Sequence, residues 1–242
     1  MQNVSIVTGT LNRREYLPDL IANTVDSGST ANVELVLVDG GSTDGTIEYL
    51  DGLNHPDIKL IKYGKRSPYP HYMNLGVAHA SHDLICQWND DVLLLNSWDQ
   101  VLDEIDEEHD AYLFNWKTGN LSDMTDPNWL HCEKMRDNNW IIINNADHDY
   151  PQSAGEQRGE IVMNYGIYRK DVFRKYGPYS PNYQYYCADG EMAMRSYYSG
   201  CKFKSCVEIK VLVLPAEKRA IMMASDIQRY NKDCYHYRER AK

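Results

Sequence analysis

The stretch LVLVDGGSTDGTIEYL, residues 35–50, decides the fold of this chain. It opens with four consecutive aliphatic residues, a pattern typical of a buried β-strand. The glycine-rich turn that follows Asp39 ends the strand, and Thr43 or Asp44 is suited to cap a helix directly after it. The stretch therefore predicts a strand, a tight turn and a helix, with Asp39 at the carboxyl end of the strand.

Further strands are predicted on both sides of this unit. Short runs rich in aliphatic residues occupy residues 3–8, 33–39, 58–61 and 84–88. Helix-compatible segments lie between them, including one at residues 74–80. Strands that alternate with helices form parallel sheets with helical crossovers. The first half of the chain, to about residue 95, is therefore predicted to be an open parallel α/β sheet.

The second half has a less regular pattern. Strands are predicted at residues 111–116, 161–168 and 204–214, and helices over residues 98–108, from Lys170, over residues 189–198 and in the polar tail. The polar stretch 118–149 has weak periodicity and is either a set of surface loops or an ordered insert that faces a substrate. No repeat or flexible linker interrupts the chain, so we expect both halves to share one core.

Composition excludes several classes of protein. The chain has 242 residues, a net charge of −10 and a sequence pI near 5.2, which argues against nucleic-acid binding through phosphate neutralisation. The first residues lack a cationic start followed by a long apolar run, so neither a signal peptide nor a membrane span is predicted. Its six cysteines are scattered without a CxxC pair, which favours reduced thiols and a cytoplasmic location.

Polar residues follow three of the predicted strands, at the end of the sheet where open α/β folds bind ligands. The first strand is followed by Thr8, Thr10 and Arg13, the second by Asp39, and the fourth by Asn89, Asp90 and Asp91. Adjacent carboxylates repel one another without a cation, and Mg²⁺ or Mn²⁺ prefers such oxygen ligands. We therefore predict a divalent cation here. Taken alone, Asp39 is better explained as a carboxylate that forms the turn. No GxGxxG follows the first strand, which argues against a dinucleotide oxidoreductase.

Three segments together resemble a known family. They are IVTGTLNRREYL at residues 6–17, the stretch at residues 35–50, and NLGVAHASHDLICQWNDDV at residues 74–92. The combination resembles the nucleotide-sugar-binding half of GT-A glycosyltransferases of the inverting family two, and a second block at residues 161–203 resembles their acceptor side. The resemblance implies a GT-A fold with a mostly parallel, Rossmann-like sheet and helices on both faces. It also implies a nucleotide-sugar-binding half at residues 1–95, an acceptor-binding half at 96–214, both fused in one domain, and a tail at 215–242.

The resemblance assigns roles at the strand ends. Asp39 would recognise the donor base, Asp90 would contact the ribose, and Asp91 would hold Mn²⁺ or Mg²⁺ on the diphosphate. The other predicted nucleotide-binding residues are Thr8, Thr10, Arg13, Lys65 and Asn89. Two positions depart from the family pattern, since Gly40 replaces an aspartate and Met73 replaces an arginine. Lys65 or Arg66 is therefore expected to supply positive charge near the phosphates.

The second block contains the predicted catalytic residues. Asp189 matches the family's base, which would take the proton from the acceptor hydroxyl, and Glu191 is the alternative base or an orienting group. Asp189 at a helix start is also explained as a helix cap. The tyrosines before it suit either sugar faces or an ordinary amphipathic surface, namely Tyr179, Tyr183, Tyr185 and Tyr186. His236 in the tail is either solvated or closes over the metal.

The predicted function is therefore a metal-dependent inverting glycosyltransferase. It would move a sugar from a nucleoside diphosphate sugar, with UDP-sugars favoured by family frequency, to a glycan or another hydroxyl acceptor. Two alternatives stay open at this point. One is a retaining transferase on the same fold, and the other is a catalytically silent relative that binds sugars or partners.

Overall fold

The computed structural model describes residues 2–119, 163–184, 187–214 and 224–241. The stretch 118–149 lies almost wholly outside these ranges, as do Tyr185 and Tyr186. The strands are β1 (Asn3–Thr10), β2 (Asn32–Asp39), β3 (Ile58–Lys62), β4 (Leu84–Gln87), β5 (Val92–Leu94), β6 (Ala111–Thr118), β7 (Gly166–Arg169) and β8 (Phe203–Val213). The helices are α1 (Leu17–Asn23), α2 (Thr46–Leu53), α3 (Tyr69–His79), α4 (Trp98–Asp103), α5 (Lys170–Lys175), α6 (Ala188–Tyr198) and α7 (Ala224–Ala241).

Within the described residues, one sheet of eight strands runs in the order β3-β2-β1-β4-β7-β6-β8-β5. The first four strands of this order are mutually parallel, as predicted for the first half of the chain. Among the described strands, β7 pairs antiparallel with β4 and β6, and β5 pairs antiparallel with β8, whereas β6 and β8 are parallel. The sheet is therefore mostly parallel, and the predicted GT-A architecture is confirmed.

Helices cover both faces of the sheet because the side chains of each strand alternate between them. On one face, Ile6 and Leu35 pack with residues of α1, α2 and α4. On the other face, Val7 and Val36 pack with residues of α3, α5 and α6. Trp88, the last residue of the predicted strand 84–88, is fully buried. In the described part of the chain, no helix is long and apolar enough to cross a membrane.

Several predicted boundaries need correction. The predicted strand 161–168 is observed as β7, which begins only at Gly166. Residues 161 and 162 of the prediction lie outside the described ranges. The predicted helix 74–80 begins earlier, at Tyr69, because Pro70 fits a first helical turn, where no amide donor is needed. The predicted helix 98–108 ends at Asp103. The short strand β5 was not predicted, since three apolar residues do not distinguish a strand from other buried chain.

Candidate active site

The carboxyl ends of β2, β1 and β4 meet at one edge of the sheet. Thr10 is the register partner of Asp39 on the neighbouring strand. The Thr10 hydroxyl donates a hydrogen bond to Asp90 Oδ2 at 2.8 Å. Asp90 and Asp91 follow β4 after a two-residue break and are 8% and 7% exposed. The fold therefore brings together residues that the sequence places about 80 positions apart.

Arg13 supplies the positive charge in this group. Its Nε lies 3.8 Å from Asp90 Oδ1, and its Nη2 lies 3.6 Å from Asp91 Oδ2. Its Nη1 is buried and has no hydrogen-bond partner among the described residues. The pKa of Asp90 is raised from 3.8 to about 7, mainly by burial and in part by the neighbouring Asp91 charge, whereas Arg13 and the Thr10 hydroxyl oppose the rise. We call Thr10, Arg13, Asp90 and Asp91 the strand-end cluster.

The Asp39 carboxylate organises the turn that follows it. Its Oδ1 accepts hydrogen bonds from the backbone amides of Gly41, at 2.8 Å, and Ser42, at 3.0 Å. Its Oδ2 accepts from the Ser42 hydroxyl. Asp39 is fully buried. The turn-forming explanation of this residue is therefore observed, and its predicted contact with a donor base stays a prediction.

Two loops at this edge are hydrogen-bonded to each other. The Thr43 amide donates to the Asn12 side chain at 2.8 Å, and the Asn12 amide donates to the Ser42 hydroxyl at 2.9 Å. The Arg14 amide donates to Asp44, which also binds the first residue of α2. The loop that carries Arg13 is thus fixed to the turn after β2.

The remaining predicted donor-side residues lie outside the strand-end cluster. Thr8 is fully buried, and its hydroxyl donates to the carbonyl of Gly9 at 3.1 Å. Asn89 donates to the Tyr165 hydroxyl at 3.2 Å. Lys65 is exposed in the loop after β3, with its Nζ 5.2 Å from the centre of the Tyr63 ring. The predicted roles of Thr8, Asn89 and Lys65 in binding nucleotide stay predictions.

Asp189 lies in the first turn of α6, and its Oδ1 accepts from the Gly190 amide at 2.9 Å. Burial raises the pKa of Asp189 above its ordinary value. Its charge also adds to the raised pKa of the buried Tyr179, for which burial is the main cause. The Tyr179 hydroxyl donates to the side chain of Gln87, the last residue of β4. The Asp189 charge therefore acts on a tyrosine that is hydrogen-bonded to the end of the strand leading into Asp90 and Asp91.

Glu191 has a different environment. Its side chain, 5% exposed, pairs with Arg195 one helical turn later, at 2.9 Å from Nε and 3.2 Å from Nη2. Arg195 also donates to the carbonyls of residues 176–178. Glu191 therefore holds the arginine that fastens the loop after α5. Glu191 thus forms an ion pair within the protein, and the predicted base roles of Asp189 and Glu191 stay predictions.

The C-terminal helix α7 packs beside Asp189. The buried Asp233 accepts the Gln184 amide at 3.0 and 3.1 Å, and Tyr237 donates to the Met194 sulfur at 2.9 Å. His236 packs on the Tyr183 ring, with 5.3 Å between ring centres, and is therefore not a solvated tail residue. We call residues 187–191 and the face of α7 packed on them the Asp189 corner. Sequence reasoning missed Asp233 and Tyr237, although their spacing of four places them on one helical face.

A divalent cation fits the strand-end cluster in one binding mode. No group of three or more histidine, cysteine, aspartate or glutamate side chains that could hold a metal occurs in the part of the chain that the structure describes. Mg²⁺ and similar ions, however, are often held by one or two carboxylates together with substrate phosphates. Asp90 and Asp91 supply such a pair. The residues present therefore fit a cation that arrives with, or is completed by, a diphosphate.

Comparisons with solved structures support the fold. One similar structure is the mannosyltransferase PcManGT from Pyrobaculum calidifontis in complex with GDP-Man and Mn²⁺, at 16% identity and a TM-score of 0.62, covering 89% of this chain and 58% of that one. Another is S. aureus TarS, at 15% identity and a TM-score of 0.60, covering 88% and 37%. A third is S. aureus TarS 1–349 in complex with UDP-GlcNAc, at 16% identity and a TM-score of 0.58, covering 90% and 59%. The chain thus spans less than two thirds of the length of each.

The sequence comparisons place the chain in a family. No curated protein sequence matches it closely enough to count as a relative. The model of the family described as "Glycosyl transferase family 2" matches residues 5–177, which is more than half of the chain. The matched region contains the strand-end cluster and Asp39 but ends before Asp189. This chain belongs to glycosyl transferase family 2.

Proposed function

We propose that this protein transfers a sugar from a nucleoside diphosphate sugar to an acceptor hydroxyl, with inversion at the anomeric carbon. The observation that carries the proposal is the position of two carboxylate-bearing sites relative to β4. The strand-end cluster follows β4, and the charge of Asp189, on α6, acts on Tyr179, whose hydroxyl donates to Gln87 at the end of β4. This arrangement supports a donor-binding group and a carboxylate base at the same end of the sheet.

The donor would bind at the strand-end cluster. Asp39 and Thr8 lie on the strands that would receive the base, and Asp90 would contact the ribose. Arg13 and Asp91 would face the diphosphate. Mn²⁺ or Mg²⁺ bound to Asp91 would neutralise negative charge on the departing nucleoside diphosphate. The structures of similar fold with GDP-Man and with UDP-GlcNAc support a nucleotide-sugar donor without selecting one of them.

Asp189 would act as the general base. In one in-line displacement, the acceptor oxygen forms a bond to the anomeric carbon while the bond to the diphosphate oxygen breaks. The acceptor proton passes to the Asp189 carboxylate. Partial burial raises the pKa of Asp189 and makes it a stronger base than a fully solvated aspartate. The acceptor would be a glycan or another hydroxyl compound.

A cytoplasmic location is proposed from the sequence pattern of the cysteines.

The test begins with donor binding. The melting temperature is measured with UDP, GDP, dTDP and CDP, each with and without Mn²⁺, because a ligand that binds only the folded state raises it. We expect one nucleotide to give a rise that needs the metal. Transfer from the matching nucleotide sugars, among them UDP-GlcNAc and GDP-Man, to a panel of saccharides is then followed by NMR, which reads the anomeric configuration of the product.

Asp189→Asn then tests the base. We expect transfer to fall by about a hundredfold to ten-thousandfold while the nucleotide-dependent rise in melting temperature is kept. Asp171→Asn is the matched control, since Asp171 is an exposed aspartate in the first turn of α5. Unchanged transfer in Asp189→Asn would contradict the base assignment. A product of retained configuration would favour a retaining transferase, and nucleotide binding without transfer to any acceptor would favour a silent binding module.

A further inference from the structure

Tyr72 fills the space beside the two glycines at the ends of β1 and β2. It lies in the first turns of α3 and is 8% exposed. A Cβ at Gly9 would come within 2.8 Å of the Tyr72 ring. A Cβ at Gly40 would lie well inside the contact distance of the Tyr72 hydroxyl, whereas its distance to the next ring atom, Cζ, would be 3.1 Å. The tyrosine hydroxyl therefore stands where a side chain at position 40 would otherwise lie.

The same hydroxyl holds the loop after β3. It accepts a hydrogen bond from the Ser67 amide at 2.7 Å and donates to the Lys65 carbonyl at 3.3 Å. Both bonded groups flank Arg66, so the tyrosine fixes the segment that carries Lys65 and Arg66. Both cations are exposed in the described structure. The pKa of the Tyr72 hydroxyl is raised, mainly by burial. The nearby negative charge of Asp39 raises it as well.

The loop after β3 is also fixed to the turn after Asp39. The amides of Tyr63 and Gly64 donate to the Asp39 carbonyl at 3.1 and 3.2 Å. Gly41 has a φ of +92°, and a Cβ there would lie 2.9 Å from the Gly64 carbonyl oxygen. The two loops therefore meet backbone to backbone, as glycine allows. Tyr72 joins the same two loops, since it packs beside Gly40 of one and is hydrogen-bonded to the backbone of Lys65 and Ser67 in the other.

We propose that Tyr72 is a positioning residue for the donor diphosphate: it occupies the side-chain space absent at Gly40 and holds Lys65 and Arg66 beside the carboxyl end of β2. The inference rests on the proposed function, since it needs a diphosphate at the strand-end cluster. It assigns Tyr72 no contact with the reacting atoms. The cations that it positions are the groups that would meet the negative charge of the donor.

The first experiment removes only the hydroxyl. In Tyr72→Phe, we expect the Kd for UDP or GDP with Mn²⁺, whichever the wild type binds, to rise by roughly fivefold, as for the loss of one hydrogen bond. The Kd of the corresponding nucleoside, which has no phosphate, should change by less than about twofold on the same reasoning. In transfer assays, KM for the donor should rise while kcat is kept. A purely structural role would not separate the diphosphate from the nucleoside.

Tyr112→Phe is the matched control. The buried Tyr112 hydroxyl also accepts a backbone amide, that of Asp106 at 3.1 Å, and donates to a backbone carbonyl, that of Asp106 at 2.7 Å. Both variants should lower the melting temperature by a similar amount. Only Tyr72→Phe should weaken diphosphate binding.

A double-mutant cycle tests the shared space. Gly40→Ala alone should weaken diphosphate binding, because the new methyl group displaces the Tyr72 hydroxyl. In the Tyr72→Phe background, the same change should cost less, since the nearest remaining atom is Cζ at 3.1 Å. If the wild type binds a nucleoside diphosphate and Tyr72→Phe binds it with the same Kd, the inference about Tyr72 is wrong while the proposed function stands. The same holds if the effects of Gly40→Ala and Tyr72→Phe on diphosphate binding are additive. If the wild type binds no nucleoside diphosphate, the proposed function fails, and the inference with it.

Discussion

The strand-end cluster and the Asp189 corner are built in different ways. In the strand-end cluster, the polar residues lie at or just beyond strand ends, and parallel pairing brings these ends together. The Asp189 corner depends on contacts between elements that are far apart in the chain, such as the hydrogen bonds that the Gln184 amide, just before the corner, donates to Asp233. The first site is thus a consequence of sheet topology, and the second is a consequence of helix packing.

Because the two sites are built differently, we expect substitutions in them to have different effects. A residue of the strand-end cluster can be removed without disturbing the strands, because the sheet is held by backbone pairing and by the core on both faces. Asp189 lies instead at the start of a helix on which α7 packs, and burial there raises its pKa. We therefore expect donor-side substitutions to change binding, and changes near Asp189 to alter the chemistry and its pH dependence.

Besides Asp189→Asn, the largest effect is expected for Asp91→Asn. Loss of the carboxylate removes the predicted metal ligand, so transfer should fall by at least about a hundredfold. The Mn²⁺-dependent part of the nucleotide-induced rise in melting temperature should disappear, whereas it should be kept in Asp189→Asn. Asp103→Asn, at the exposed end of α4, is the control for a surface aspartate. An unchanged Mn²⁺-dependent rise in Asp91→Asn would contradict the assignment of the metal ligand.

A smaller effect, on stability alone, is expected for Glu34→Gln. Glu34 lies near the opposite end of β2 from the site, and accepts from the hydroxyls of Ser5 and Ser81 and pairs with Lys59 at 2.9 Å. Burial opposes its ionisation, but these partners and the Ser81 amide lower its pKa from 4.5 to about 2. Its contribution to stability is therefore present above pH 4.5 and is lost as the pH falls towards 2.

Glu34→Gln should lower the free energy of unfolding at pH 7 by roughly 2 kcal/mol, or about 4–8 °C in melting temperature. The free energy of unfolding, measured by urea unfolding, should fall less steeply between pH 5 and pH 2 in this variant than in the wild type. Glu48→Gln, on the exposed face of α2, is the control. A fall in transfer beyond that explained by unfolding would mean that the two ends of the sheet are coupled.

The smallest effect concerns the pH profile of transfer. A base must be ionised to accept a proton, and burial raises the pKa of Asp189. The value of kcat at saturating donor should therefore decline by about tenfold per pH unit on the acid side, with a midpoint above the ordinary aspartate value of about 3.9. Saturation with donor separates this effect from the titration of Asp90. A constant kcat down to pH 4 would contradict the base assignment.

The positions of the strand-end residues could be predicted from the sequence to a large extent, whereas their roles in donor binding stay predictions. Asp39, Asp90 and Asp91 stand directly after aliphatic strands, so their place in the sheet follows from local pattern and from parallel pairing. Strand boundaries were less accurate, as β7 shows, because a short strand in the middle of a sheet takes its limits from its neighbours. Tyr72 carried no local signal, since only the close approach of α3 to Gly9 and Gly40 gives its hydroxyl a position.

The sequence by itself determined the α/β class, the parallel first half, the family and the residues that follow the strands. These properties depend on periodicity and on turn-forming residues, which act over a few positions of the chain. Only the tertiary structure decided that Arg13 lies between two carboxylates, that Glu191 is paired with Arg195, and that α7 packs beside Asp189. Such contacts join distant residues, and their geometry depends on how helices pack on the sheet rather than on any short stretch of sequence.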